Sequence, residues 1–338
     1  MPLPKLKDKF FKERFSVGLD IGAATVKFVK LRFFKEQVEL CGFGLGPAEA
    51  GLGGIAGELR QNQAPQAVNI AVSGPAAIIR YVNFPKMNED ELRRALKFEA
   101  PKHIPFSLEE VNLDSYVLKA DLPDNQMLVL LAAVKKEIIA QRLKIIEGVG
   151  LRANLIDIDS IALINAFNFN RAQTQAEHES VALLNIGALM SNLNILENGM
   201  PRLSRDIHIG GNSFTQKIAD VLNIDFKSAE DLKLNPDQER QKNISAAIES
   251  ALVNLAAEIR TSFDYYESQS ASTVAKIFTS GGSILSGGLT EMLVNLLGIE
   301  AAPWDPFTQM KIPANIDTTR LKALSCQLAV ACGLALRV

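Results

Sequence analysis

The chain has 338 residues, 47% apolar and 22% charged, with a net charge of −2 and a pI near 6.0. This is enough apolar sequence to build a sizeable core, as one large domain or two mid-sized ones. A balance so close to neutral, with no RNA- or DNA-binding motif, excludes nucleic acid as a partner.

Cys41, Cys326 and Cys332 are scattered and form no CxxC pair, so they read as core residues of a reducing compartment and not as disulfides or a zinc site. His103, His178 and His208 share no metal-ligand spacing and read as surface or capping residues. The longest apolar stretch, 323–336, is broken by Ser325 and Gln327 and is too short to cross a bilayer. It predicts a buried C-terminal helix. Residues 1–14 are basic, with Leu6, Phe10 and Phe11 set between charges, and lack the apolar stretch of a signal peptide. They are expected to be a flexible solvated tail, with a weak membrane-surface anchor as the alternative.

In chain order, residues 17–21 and 26–31 predict two strands of a hairpin, joined by the small-residue turn Gly22, Ala23, Ala24, Thr25. A third strand is expected over 37–43. A Gly-rich stretch, 44–54, then leads to a short helix ending near Gln61, and 67–72 is a strand. Asn88 with Glu91 three residues on marks the start of a helix over 88–100, which Pro101 ends. Strands follow at 110–119 and 127–134, then a helix over 135–147 with Ile138, Ile139, Leu143 and Ile146 on one side, and a strand over 154–158. This run predicts a compact subdomain over about 84–157.

A second region opens like the first. A strand over 181–186 breaks at Gly187 and Ala188, resumes over 192–196 and turns at Asn198 and Gly199. Gly210 and Gly211 precede a helix over 213–222. Helices are also expected over 227–234, over 238–269 as one long helix, broken or continuous, over 286–297, and over 321–336. A strand over 274–279 runs into Ser280, Gly281, Gly282 and Ser283.

The duplication is the most informative feature. Leu19-Asp20-Ile21-Gly22-Ala23 matches Leu184-Asn185-Ile186-Gly187-Ala188, and in both copies an apolar strand follows. Two such turns facing each other would form a phosphate clamp, because backbone N–H groups in a small-residue turn can converge on one anion. Gly22 lets the backbone approach a phosphate closely. Asp20, at a strand end, could hold a water on a bound Mg²⁺. The strand-to-helix turn at 280–283 offers glycines for a nucleoside and a helix start for an anion.

On these motifs the chain resembles the actin–Hsp70–sugar kinase superfamily, from about Phe15 to the end. Within it, the chain resembles the PilM family of type IV pilus assembly. The resemblance rests on residues 20–27, 84–92 and 99–114, on Ile209-Gly210-Gly211, on residues 229–233 and on Thr279 to Gly282. It implies an α/β, actin-like fold: two RNase H-like halves around a nucleotide cleft, with an inserted FtsA-like α+β subdomain over 84–157. The first half would span 15–83 and the second 158–320, with the 321–338 helix returning to the first half.

It implies ATP or ADP with Mg²⁺ as cofactors. These would be held by Asp20, Gly22, Ala23, Ala24, Thr25, Lys27, Asn185, Gly187, Ala188, Gly210, Gly211, Gly281, Gly282 and Ser283, with Glu230 and Lys233 at the ribose or adenine. The implied function is a cytoplasmic scaffold, peripheral to the inner membrane. It would bind the N-terminal tail of a PilN-like membrane protein and contact other pilus inner-membrane proteins and the pilus motor ATPases. The tail is expected in a groove between 84–157 and the 67–72 region, supported by Ile104, Pro105 and Phe106. Asn185 stands where the family carries aspartate, and Met190 and Asn192 also set the second turn apart from the first, so hydrolysis is expected to be weak or absent. An FtsA-type filament protein and a small-molecule kinase of the same fold are the alternatives. Oligomeric state stays open.

Overall fold

The computed structural model describes residues 10–60, 67–171, 180–270 and 272–338. Its architecture repeats. β1 (Phe10–Ile21), β2 (Thr25–Lys35) and β3 (Gln37–Pro47) form an antiparallel meander. β4 (Ala67–Val72) runs parallel beside β1, and β8 (Arg152–Ile158) runs parallel beside β4, which gives the order β3-β2-β1-β4-β8. The second half does the same. β9 (Ser180–Ile186), β10 (Ser191–Glu197) and β11 (Met200–Ile207) meander, while β12 (Val274–Ser280) and β13 (Glu300–Pro303) add in parallel, for the order β11-β10-β9-β12-β13. A duplication visible as five residues in sequence is thus a duplication of a whole sheet.

Between β4 and β8 the chain builds a separate antiparallel sheet, β5-β7-β6, from β5 (Ala77–Pro85), β6 (Val111–Leu122) and β7 (Gln126–Lys135). It carries α2 (Glu89–Glu99), which begins with the expected capping box. Asn88 Oδ1 accepts from the Glu91 N–H at 3.0 Å, and Glu91 Oε2 accepts from the Asn88 N–H at 2.9 Å. α3 (Lys136–Glu147) leads from β7 into β8. The sheet therefore starts at Ala77, ahead of the expected limit at residue 84. The strand expected over 154–158 belongs with β4 in the first sheet.

Helix α1 (Ala56–Arg60) and the helices α5 (Gly211–Leu222), α6 (Phe226–Leu234), α7 (Gln241–Gln269) and α8 (Leu289–Leu297) cover the outer faces. α7 is one unbroken helix. The helix expected over 286–297 is α8, which starts at Leu289, after a 3₁₀ turn over Gly282–Leu285. At the C-terminus, α9 (Thr318–Leu324), a 3₁₀ turn and α10 (Ala329–Ala335) replace the single helix expected there.

The centre belongs to α4 (Asp159–Asn170) and α10, which lie between the two large sheets. α10 touches both α4 and β1 backbone to backbone: a Cβ on Gly333 would sit 1.8 Å from the Ala162 carbonyl oxygen of α4, and one on Gly18 of β1 would sit 2.0 Å from that of Ala331. Buried Asn69 ties the C-terminus to β4, its Nδ2 donating to the carbonyls of Leu334 (2.9 Å) and Arg337 (2.7 Å). The bonds of that amide are satisfied, which makes its burial tolerable.

Two further expectations are corrected. Residues 10–14, expected in a solvated tail, extend β1, and Glu13 there pairs with Arg32 on β2 at 3.0 Å. Residues 1–9 lie outside the described residues, as do His178 and the expected helix end at Gln61. Gly44 and Gly46, beyond the strand expected over 37–43, lie in β3. A Cβ on Gly44 would fall 2.2 Å from Glu58 Oε2 and 2.6 Å from the Phe28 ring, so the glycine permits close packing there. Among the described residues no helix is long and apolar enough to cross a membrane.

Candidate nucleotide cleft

The two glycine turns are near copies at the atomic level. Gly22 N–H donates to the Thr25 carbonyl at 3.1 Å, and Gly187 N–H donates to the Met190 carbonyl at 3.0 Å. A Cβ on either glycine would meet that same carbonyl at 2.9 Å. Both positions therefore favour glycine before any ligand is considered. Strand register continues the parallel: Asp20 faces Lys27 across β1–β2, and Asn185 faces Asn192 across β9–β10.

Both turns line one cavity of about 620 Å³ between the halves, within the range of small-molecule sites. Of the residues singled out from sequence, Asp20, Gly22, Ala23, Ala24, Thr25, Lys27, Asn185, Gly187, Ala188, Gly211, Glu230, Lys233, Gly282 and Ser283 line it. Gly210 and Gly281 stand behind the wall. Gly210 caps α5, and a Cβ there would lie 2.7 Å from the Gly187 and Ala188 carbonyl oxygens. Gly281 has φ +97°, and its Cβ would lie 2.3 Å from the Ile186 carbonyl oxygen. These two shape the turn that holds Ser283, whose Oγ donates to the Gly187 carbonyl at 2.9 Å.

Charges in the cleft are mostly paired. Lys27 Nζ lies 2.9 Å from Asp20 Oδ2. Lys233, one turn after Glu230 on α6, is not a surface residue. Its side chain is 4% exposed, and Nζ donates to Glu230 Oε2 (2.6 Å), Thr215 Oγ1 (2.8 Å) and the Gly211 carbonyl (3.3 Å). In place of the aspartate–lysine pair of the first turn, the second holds amides. Asn185 Oδ1 accepts from Ser280 Oγ at 3.2 Å, and Asn192 Nδ2 donates to Asp206 Oδ1 at 2.6 Å.

Several lining residues were not found from sequence, namely Ser73, Arg142, Asp159, Asp206 and Gln327. Asp159 opens α4. Desolvation, with the Asp20 charge next, pushes its carboxyl up to about 7, against a hydrogen bond from Ser73 and the charge of Arg142. Asp206 ends a directed chain of hydrogen bonds. Ser204 Oγ donates to Asn194 Oδ1 (2.6 Å), so Tyr81 OH donates to Ser204 (2.7 Å). Asn194 Nδ2 donates to Asn192 Oδ1 (2.6 Å), and Asn192 donates to Asp206. Gly74 N–H closes on Asp206 Oδ2 at 3.1 Å. The chain runs from the three-stranded sheet to the cleft.

Among the described residues no three His, Cys, Asp or Glu side chains are arranged to hold a metal ion. A magnesium ion fits such a cleft only with phosphate and water as its main ligands. One carboxylate at the turn, Asp20, is compatible with that donor set.

A family model for type IV pilus assembly protein PilM matches residues 58–338. Among solved structures, the chain is similar to one in a PilM–PilN type IV pilus biogenesis complex, with 27% identity and a TM-score of 0.83 over 95% of this chain and 97% of that one. It shares its fold with the ethanolamine utilization protein EutJ of Carboxydothermus hydrogenoformans, at 16% identity and TM-score 0.52, over 100% of this chain and 92% of that one. The fold is actin-like, and the chain belongs to the PilM family of type IV pilus assembly proteins.

Proposed function

We propose that this protein is a cytoplasmic, nucleotide-binding scaffold of type IV pilus assembly, docked at the inner membrane through the N-terminal tail of a PilN-like partner. The observation that carries the nucleotide half is the pair of closely matching glycine turns on one cavity, with buried Lys233 paired to half-exposed Glu230 in the same lining. The turns would cradle phosphates, Lys233, Glu230 and Ser283 would border the nucleoside, and Asp20 would hold a water on Mg²⁺. Magnesium, when bound, would neutralise phosphate charge. Turnover is slow, because Asn185 supplies no carboxylate where Asp20 supplies one in the first turn. Asp159, with its proton affinity near neutrality, is the group able to accept a proton in the cleft.

The partner half rests on the similarity to a protein solved in complex with PilN and on a partly exposed apolar strip. Partly exposed Tyr116 and Leu118 of β6, Ile138 and Ile139 of α3 and Ile156 of β8 meet where the three-stranded sheet joins the first half. An extended peptide can lie along such a strip, and β6 is an edge strand of its sheet. The strip replaces two features expected from sequence. β4 is hydrogen-bonded on both sides and buried, so it offers no wall. Ile104 is 5% exposed and packs with Ala100, Val111 and Ala133, with Phe106 against them, so these residues support the fold; Pro105 is exposed.

The test is titration of the full-length protein with ATP and Mg²⁺, and separately with a PilN-like tail peptide. Leu118→Asp is expected to weaken the peptide at least about tenfold and leave ATP unchanged. Peptide binding undiminished in Leu118→Asp would remove the strip from the proposal.

A further inference from the structure

α3 turns its apolar stripe inward. Ile138 and Ile139 join the cluster beneath the three-stranded sheet, while Leu143 and Ile146 join the core of the first half. Arg142 lies on the same stripe, one turn after Ile138 and one turn before Ile146. A guanidinium on a core-facing stripe is costly unless water or a partner receives it. Among the described residues Arg142 has no hydrogen bond or ion pair. It is half-buried and lines the cleft, close enough to Asp159 to lower that carboxyl's proton affinity. The other two cations lining the cleft are engaged, Lys27 with Asp20 and Lys233 with Glu230, Thr215 and Gly211. Arg142 is the lining cation left without such a partner.

Its place in the cleft gives it a meaning. α5, α6 and the Ser283 turn form one wall, with Gly211, Glu230 and Lys233, and the glycine turns form the middle. Arg142 and Ser73, after β4, come from the first half of the chain, and Asp159 stands at the start of α4. A nucleotide whose nucleoside lies by Lys233 directs the far end of its phosphate chain toward the first half. We infer that Arg142 is a ligand of the terminal phosphate of a nucleoside triphosphate and makes the cleft discriminate triphosphate from diphosphate. This rests on the nucleotide-binding proposal for the same cleft. A planar guanidinium suits phosphate oxygens because it can give two parallel charge-assisted hydrogen bonds, which a point-charge ammonium cannot match. The terminal phosphate is also where the ligand carries charge that a diphosphate lacks.

The experiment titrates the full-length protein and the variants Arg142→Gln and Arg142→Lys with ADP and with an imido-bridged, non-hydrolysable ATP analogue, both with Mg²⁺. Arg142→Gln is expected to lose about tenfold or more in affinity for the analogue, as for a lost charge-assisted bond. Its ADP affinity should stay within about twofold. Arg142→Lys should recover part of the loss, a rescue that a merely structural role does not give. The inference is overturned if Arg142→Gln binds the analogue as well as the wild type does, or loses ADP and analogue alike. If the wild type binds neither nucleotide, the assignment of the cleft itself fails, and the role of Arg142 with it.

Discussion

Replacing Asp159 by asparagine should make the protein's stability less sensitive to alkaline pH. The native carboxyl holds its proton to about 7, against an ordinary value of 3.8. In this pH interval the native state binds more protons than the unfolded chain. Stability from this group is therefore complete below pH 3.8, falls as pH rises, and is gone above about 7. At 1.36 kcal/mol per tenfold step in proton affinity, the whole interval is worth about 4 kcal/mol, and the part between pH 5 and 8 about 3 kcal/mol. Part of Asp159 faces the open cleft, where water screens its charge, so these are ceilings and about half is the working figure. Unfolding entropy of about 2.1 cal/mol/K per residue over a chain of this length turns about 1.5 kcal/mol into a melting shift of about 2 °C. The assay is thermal melting of wild type and Asp159→Asn at pH 5 and pH 8. The wild type should lose about 2 °C more than the variant over that interval. Equal losses in the two proteins would show that the Asp159 environment does not hold the proton, and the electrostatic description of the cleft would fail.

Two other substitutions probe the turns. Gly281→Ala places a side chain at φ +97° and 2.3 Å from the Ile186 carbonyl oxygen, so it should cost about 2–3 kcal/mol or more, read as a clear drop in melting temperature. A variant that melts with the wild type would contradict the packing of β9 against that turn. Asn185→Asp keeps the acceptor that Ser280 uses and adds a charge opposite Asn192, so nucleotide affinity should rise in the presence of Mg²⁺ and fall without it. Identical titrations with and without the metal would show that this turn does not reach the ion.

The parts of the fold legible in sequence were those specified locally. The glycine turns, the Asn88–Glu91 capping box and the strand starts at Ala67 and Val274 are each encoded within a few residues. α4 escaped because it is apolar nearly all round. Ile161, Ala162, Leu163, Ile164, Ala166 and Phe167 are all buried between the two sheets, which leaves no amphipathic period to detect. β5 and β11 lie largely half-exposed, and β13 is four residues long, so none presents a strong alternation. The cleft residues missed follow from the same cause. Asp159 reaches the site only because α4 starts there, Asp206 because β11 ends there, and Arg142 because α3 points its apolar stripe inward. Motif spacing marked the turns. The carboxylates and the guanidinium opposite them are brought in by tertiary structure, which no local pattern announces.

The central claim is that the duplicated turns enclose a nucleotide. Isothermal titration of the full-length protein with ATP in the presence of Mg²⁺ tests it most directly, with Asp20→Ala measured alongside. Saturable binding of one nucleotide per chain is expected, weakened in Asp20→Ala. Absence of binding to the wild type at millimolar ATP, or equal binding by both proteins, would contradict it.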